Sequence, residues 1–349
     1  MDVSDLTAKK LTAYRQLFLY AHNQLLQRAI CATQLFPYHQ PIDHIHLHFH
    51  YHVLIVRIMV KQSEREGFIM DKAIPELTLN DGTTIPAIGF GTYALNGNEG
   101  VNAINSAIDI GYRLIDTAYN YENEGTVGEA IRRSSVPREQ LYITSKLPGR
   151  YHEYDKAVTA IQESLYRADL DYYDLYLIHW PNPKQGHYTE AWQALIEAKK
   201  WGLIRSIGVC NFLPEHIEQL QRETGVKPSI NQIEFHPAFN QEHQHKWHEE
   251  QGIQTESWSP LARASEILNN KQLGQIAEKY NKTISQVILR WHCQLGAIPI
   301  PKSASPERQL ENISIFDFSL DEKDMKEIAS LSRPDGRIND QDPAVYEEF

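Results

Sequence analysis

Three cysteines in 349 residues, Cys31, Cys210 and Cys293, are too few and too widely spaced for a disulfide framework or a CxxC metal site, so a reducing cytoplasm is the default compartment. No apolar run approaches the ~20 residues needed to cross a bilayer, and a membrane partner is not expected. Positive charge is also short: 34 Lys and Arg against 45 Asp and Glu give a formal net charge of -11. That is the wrong sign for a chain that must replace counterions around phosphates, so nucleic acid is not expected either. Low-complexity linkers are missing. What is present is an ordinary globular composition, 42% hydrophobic and 23% charged, in a length that fits one (β/α)₈ barrel of about 250 residues with additions. Small-molecule chemistry is the class to look for.

Residues 1–69 differ from the rest. They hold 7 of the 16 histidines and 7 Lys and Arg against 5 Asp and Glu, which leaves -13 for the remainder. Their best apolar stretch, Val53 to Val60, is broken by Arg57 and has no cleavage pattern behind it, so it is not read as a signal peptide. Residues 5–31 match an amphipathic helix through Leu11, Tyr14, Phe18, Ala21 and Leu25. The expectation is an extension over 1–69 that the chemistry does not need, followed by one domain over 70–349 opening at Met70.

From Glu76 onward short apolar runs alternate with helical periodicity. The runs are Ala87 to Gly91, Arg113 to Asp116, Leu141 to Lys146, Asp174 to His179, Ser206 to Cys210, Ser229 to Glu234, Ile253 to Ser257 and Ala297 to Ile300. Between them, Val101, Ile104, Ile108 and Val158, Ile161, Leu165, Ala168 fall three to four apart, as one apolar helix face requires. Strands alternating with helices imply right-handed βαβ units and a parallel sheet. Eight of them point to a closed (β/α)₈ TIM barrel, with an open doubly wound sheet as the alternative. Asn80, Asp81 and Gly82 between two β-prone runs predict a short hairpin plugging the barrel bottom.

In such a barrel the working groups stand at the C-terminal strand ends. There the sequence has Asp116, Lys146, His179, Asn211, Gln232, Trp258 and Lys302 in turn. One strand-end Asp or Lys is more often a solvated or capping residue; seven in succession form a site.

These motifs resemble the aldo-keto reductase superfamily over residues 74 to about 333. GYRLIDTAYNYENEGTVGEAI, LYITSKL, LYLIHWP, SIGVCNF, NQIEFHP and IPKSASPERQLENISIFDF occur in the family's order and at similar spacing. The resemblance implies an NADPH-dependent reduction of an aldehyde or ketone, with a tetrad of Asp116, Tyr121, Lys146 and His179. The chemistry agrees. Reducing a carbonyl needs a proton donor on oxygen, and a Tyr of ordinary pKa near 10 is a poor match to neutral pH. An ammonium nearby favours the phenolate and lowers that pKa, so Lys146, held and kept charged by Asp116, is expected to tune Tyr121. His179 would donate a hydrogen bond to the substrate oxygen and orient the carbonyl.

For the cofactor, the resemblance implies that Asn211 and Gln232 meet the nicotinamide carboxamide and that Trp258 offers a stacking face, with Ser259 and Leu261 beside it. Lys302, Ser303 and Arg308 resemble a cradle for the 2′-phosphate, and Glu311 and Asn312 resemble adenine contacts. An i,i+3 ion pair between Arg308 and Glu311 on a surface helix is the alternative. Gly89, Gly91 and Ala94 match the GxGxxA dinucleotide fingerprint, but no helix follows at once as that motif requires. Gly91, Thr92 and Tyr93 are read instead as pocket wall, with Tyr93, Trp180 and His179 facing the substrate. Cys210, Trp258 and Pro148 stand where the family more often has Ser, Tyr and Trp, and the tail after Leu331 is short. Together these departures look most like the bacterial branch with 2,5-diketogluconate and glyoxal reductases, and the substrate expected is a small dicarbonyl or keto-sugar acid.

Two rival classes remain open at this stage. His44, His46, His48, His50 and His52 would share one face of a strand, as in a metal-dependent hydrolase. A barrel can also serve as a non-catalytic NADPH-binding regulator, because fold does not fix function. No metal is expected for the reductase, and the protein is read as a cytoplasmic monomer.

Overall fold

The computed structural model describes residues 74–264 and 266–349. The expected helix over 5–31, the histidine run and the opening at Met70 lie outside the described residues. Strands β1 (Glu76–Thr78) and β2 (Thr84–Pro86) pair antiparallel as the predicted hairpin. Gly82 turns the chain at φ +84°, a left-handed value that glycine adopts without a Cβ penalty. The hairpin is tied beneath the barrel: Asn80 Nδ2 donates to the Pro228 carbonyl (2.9 Å), and Asp81 accepts from Ser206 Oγ (2.8 Å) and Lys199 Nζ (2.7 Å).

Eight parallel strands follow in chain order: β3 (Gly89–Gly91), β4 (Leu114–Asp116), β5 (Tyr142–Leu147), β6 (Tyr173–Ile178), β7 (Ile204–Cys210), β8 (Ile230–Glu234), β9 (Gln254–Trp258) and β10 (Ile298–Ile300). Each expected run became a strand. The largest boundary differences are two residues: β3 starts at Gly89 and not Ala87, and β7 starts at Ile204 and not Ser206 because Ile204 pairs with Tyr173. Ladders join every neighbouring pair from β3 to β10. The ring closes between β10 and β3 without a ladder, through Gly91 N–H donating to the Pro301 carbonyl at 3.0 Å. Ile300 packs against Gly89 and Gly91 there, in space that a Cβ would fill.

Helices cover the outside: α1 (Gly97–Ile110), α2 (Glu124–Arg133), α3 (Tyr154–Ala168), α4 (Tyr188–Lys200), α5 (Pro214–Thr224) and α6 (Glu242–Gln251) follow β3 to β8. Both α7 (Lys271–Tyr280) and α8 (Ile284–Gln294) separate β9 from β10, and α9 (Pro306–Ile313) and α10 (Glu322–Ala329) come last. The predicted helix faces are buried, except that Val158 is only half-buried and the α3 face centres on Ala157, Ile161 and Ser164. Each fully buried Ile or Leu on these faces contributes about 1.5–3 kcal/mol. Sharp helix starts come from caps: Thr283 and Gln286 form a reciprocal capping box on α8, and Asp321 caps α10.

Inside the ring, Leu114, Leu175, Leu177, Cys210, Ile230, Ile298 and Ile300 form an apolar layer with Leu79 and Ile85 of the hairpin. Because side chains alternate along a strand, the residue two positions later points the same way. Asp116, His179, Gln232 and Lys302 are thereby placed in phase with Leu114, Leu177, Ile230 and Ile300, above a dry floor.

Candidate active site

Lys146 and Asp116 form the centre of this upper layer. Lys146 Nζ lies 2.6 Å from Asp116 Oδ1 and donates to the Thr117 carbonyl at 2.8 Å, with the lysine side chain fully buried. Burial alone would push this ammonium down, but Asp116 beside it outweighs that and holds Lys146 above its ordinary value. Gln232 Nε2 donates both to Asp116 Oδ2 (2.9 Å) and to Glu256 Oε2 (2.7 Å), so one amide spans two carboxyl groups. Glu256 is pushed up to about 8, first by burial and then by the nearby Asp116 charge, which favours its neutral form.

Tyr121 enters from a single 3₁₀ turn, Tyr119–Tyr121, closed by Glu122 in the left-handed region at φ 54°. Asn123 anchors that turn: its Oδ1 accepts from Thr117 Oγ1 (2.7 Å), and its Nδ2 donates to the Thr92 (2.7 Å) and Leu95 (3.0 Å) carbonyls. The Tyr121 ring then has Lys146 Nζ 5.0 Å from its centroid, His179 edge-on at 5.9 Å and Tyr93 edge-on at 5.2 Å. Asp116, Tyr121, Lys146 and His179 are thus brought together. One expectation is corrected. Lys146 does pull the Tyr121 phenol down, but burial pushes harder, and the phenol is raised to about 12. Part of the ring reaches the surface, yet the packing around the hydroxyl removes the water that a phenolate would need.

The amides expected near a nicotinamide are already partly engaged. Asn211, at φ 60°, donates from Nδ2 to the His179 carbonyl (3.1 Å) and accepts on Oδ1 from Trp258 Nε1 (2.8 Å). Counting donors, Gln232 keeps its Oε1 and Asn211 one N–H, a complementary acceptor and donor for a carboxamide. Trp258 is half-buried, so part of its indole stays accessible. Ser259 begins a turn at φ 49° that carries Leu261 on to Ala262 at φ 48°. Thr92 is buried with its hydroxyl on the Asp116 carbonyl (2.9 Å), and it braces β3 to β4. Tyr93 is exposed, whereas Gly91 is buried against Ile300 and Lys302.

At the other end, Lys302 and Arg308 are exposed and have no acidic partner among the described residues, beside the first turn of α9. The alternative pair does not form, since Glu311 accepts from Thr283 Oγ1 at 2.7 Å. Two uncompensated cations at a helix N-terminus suit a phosphate. Ser303 turns inward instead, its hydroxyl accepting from Ser305 N–H at 3.1 Å, and Asn312 is buried.

Sequence reasoning named Trp180 for the far wall but missed the tail residues that pack on it. The tail folds back so that Tyr346 packs on the buried Trp180 with ring centroids 4.5 Å apart. Glu348 Oε1 comes 2.7 Å from His179 Nδ1 and accepts from Asn120 Nδ2 at 2.6 Å, while Oε2 accepts from Gly149 N–H at 3.1 Å. The tail has no periodicity to mark it, and its acidic end is the only signal available.

A family model described as the Aldo/keto reductase family matches residues 87–333. Over 276 residues the chain is 52% identical to 2,5-diketo-D-gluconic acid reductase B of Corynebacterium sp. (strain SHS752001), covering 79% of this chain and 99% of that protein. It is 46% identical over 258 residues to methylglyoxal reductase DkgA of Escherichia coli (strain K12), covering 74% and 93% respectively. Among solved structures, a mutant of Gox0644 in complex with NADPH aligns at a TM-score of 0.76 with 41% identity, covering 79% of this chain and all of the other.

Proposed function

The chain belongs to the aldo/keto reductase family, and from that premise we propose that it reduces a small aldehyde or ketone with NADPH, Tyr121 giving the proton to the carbonyl oxygen. The observation that carries this reading is the buried Lys146–Asp116 pair beneath the Tyr121 ring. A phenol raised to about 12 is neutral at pH 7 and so still has its proton to give. As negative charge develops on the oxygen, the fixed ammonium of Lys146 stabilises the phenolate left behind, and it needs no reorganisation to do so. His179, edge-on to the same ring, orients the carbonyl.

NADPH supplies, when bound, the hydride that reaches the carbonyl carbon. The residues that would hold it are Gln232, Asn211 and the accessible face of Trp258 at the ring end, and Lys302 and Arg308 at the phosphate end. Ser303 lies beside that phosphate end, and Glu311 and Asn312, in the last turn of α9, would meet the adenine. Among the described residues no helix is long and apolar enough to cross a membrane. The same reading takes the protein as a cytoplasmic monomer, in keeping with free thiols at Cys210 and Cys293.

Following NADPH absorbance with a panel of small aldehydes and dicarbonyls tests the proposal. Turnover is expected with the parent, and Tyr121→Phe should keep NADPH affinity while losing about 10² to 10⁴ in rate, the span of a general acid. A barrel that binds NADPH but turns over none of the panel is the regulatory alternative, and Tyr121→Phe at the parental rate would move the proton donor elsewhere.

A further inference from the structure

Asn120 and Gly149 donate hydrogen bonds into a cradle beside the Tyr121 ring, with His179 Nδ1 as its third wall, and the chain's own Glu348 fills it. The contacts are those of a bound carboxylate. One oxygen takes the Asn120 amide and lies against His179 Nδ1, and the other takes a backbone N–H from Gly149. His179 Nδ1 approaches the oxygen to 2.7 Å, off the line along which a ring N–H would donate. Glu348 is buried to 7% exposure. Burial would push its carboxyl up, but His179, Gly149 and Asn120 together hold it below the usual range, so it is ionised at neutral pH.

The backbone around it is built for this fit. Asn182 Nδ2 donates to the Glu348 carbonyl (2.7 Å), and Glu348 N–H donates to Asn182 Oδ1 (3.0 Å). A Cβ on Gly149 would stand 2.6 Å from that carbonyl, so glycine is required where the tail docks. Glu347, one residue earlier, accepts from Lys184 N–H (2.7 Å) and Gln185 Nε2 (3.1 Å). Fixing a flexible chain end costs entropy, and these paired contacts offset it.

Resting on the reductase reading above, we propose that this cradle is a carboxylate subsite occupied by the protein's own tail. Carbonyl compounds bearing a carboxylate a few bonds from the carbonyl carbon then bind in competition with Glu348. Neutral carbonyls bind with the tail docked. The physical ground is that two carboxylates cannot share one set of donors, and their mutual repulsion in a partly dry pocket is strong. When the competent state is a minor one, apparent affinity falls by the fraction of molecules in it. The tail thereby selects between the two substrate chemistries named for the relatives, a keto-sugar acid and a neutral dicarbonyl.

The test uses the full chain and the matched aldehydes 4-oxobutanoate and butanal. In Glu348→Ala, the ratio of kcat/KM for 4-oxobutanoate over butanal should rise by about tenfold or more, carried mainly by KM, as release from an internal competitor requires. Both numbers come from one preparation, so partial unfolding cancels in the ratio. Glu348→Gln, which keeps the shape and loses the charge, should move the ratio the same way by less. Independently of turnover, and with NADPH left out, 4-oxobutanoate should speed hydrogen exchange of the peptide 341–349 while butanal should not. A ratio changed by less than about twofold in both variants, or tail exchange indifferent to 4-oxobutanoate, overturns the proposal. If neither aldehyde is reduced but the tail still responds to the carboxylate, the subsite stands and the reductase reading falls; reduction of butanal with no response to the carboxylate gives the reverse.

Discussion

The two ends of the proposed cofactor-binding face solve opposite electrostatic problems. Around Lys146 the charges are buried: Asp116 is answered by the ammonium and by Gln232, and burial pushes the second carboxyl, Glu256, toward its neutral form. Around Lys302 and Arg308 the charges are exposed and have no acidic partner among the described residues. Buried charge cannot be left uncompensated without several kcal/mol of penalty, so the inner end is rigid, and the fold itself depends on it. Exposed charge is screened within about 10 Å at 0.1 M salt and contributes little until a ligand arrives. The inner end therefore mixes stability with chemistry, whereas the outer end acts on binding alone.

Removing the ammonium is the most severe way to probe this contrast. Lys146→Met is expected to cost about 3–5 kcal/mol of stability by denaturant unfolding, besides abolishing turnover, because Asp116 is left as an unpaired buried charge. A loss below about 1 kcal/mol would mean that water reaches the pair and that the inner end is not as dry as it is packed.

Arg308→Ala sharpens the other side. It is expected to weaken NADPH by about 1.5–3 kcal/mol with NADH nearly unchanged, and the gap should narrow as salt is added. Titration by fluorescence at two ionic strengths measures it. Equal losses for both cofactors would make Arg308 a support of the fold.

A pH-dependent effect should come from Glu256. Its folded pKa is raised from 4.5 to about 8, so its stabilising contribution is full below pH 4.5 and is lost as pH rises through about 8. The melting temperature should accordingly fall between pH 5 and pH 9, by roughly 2–4 °C for each kcal/mol lost, and Glu256→Gln should flatten that fall. Parallel pH profiles in the two proteins would mean that Glu256 stays ionised. The least effect is expected from starting the chain at Met70, which should leave NADPH affinity and turnover as they are; a loss of either would give residues 1–69 a part in the barrel.

Much of the fold was legible because it is periodic. Eight apolar runs with helical stretches between them specify a parallel ring, and the two-residue alternation of a strand carries Asp116 and Lys146 to its upper rim. What escaped depends on three-dimensional packing. The raised pKa of Tyr121 is a desolvation effect, and no neighbour in DTAYNY encodes how much water the folded pocket excludes. The sharing of Gln232 between Asp116 and Glu256 joins two consecutive strands, β8 and β9, to β4, which lies more than a hundred residues earlier. Ser303 turned inward because its hydroxyl found Ser305 two residues on, a local bond that competes with any ligand. Glu348 lies in an irregular tail, where neither period applies.

The closure between β10 and β3 has a mechanical consequence. Every other neighbouring pair in the ring is stitched by a ladder, but here a single backbone bond from Gly91 to Pro301 and the packing of Ile300 over two glycines hold the first strand to the last. Under a pulling force across its ends the barrel would part along this line first, as a hoop fails at its weld. Joining the two strands by a new covalent link would therefore stiffen the whole ring more than a link placed at any laddered pair.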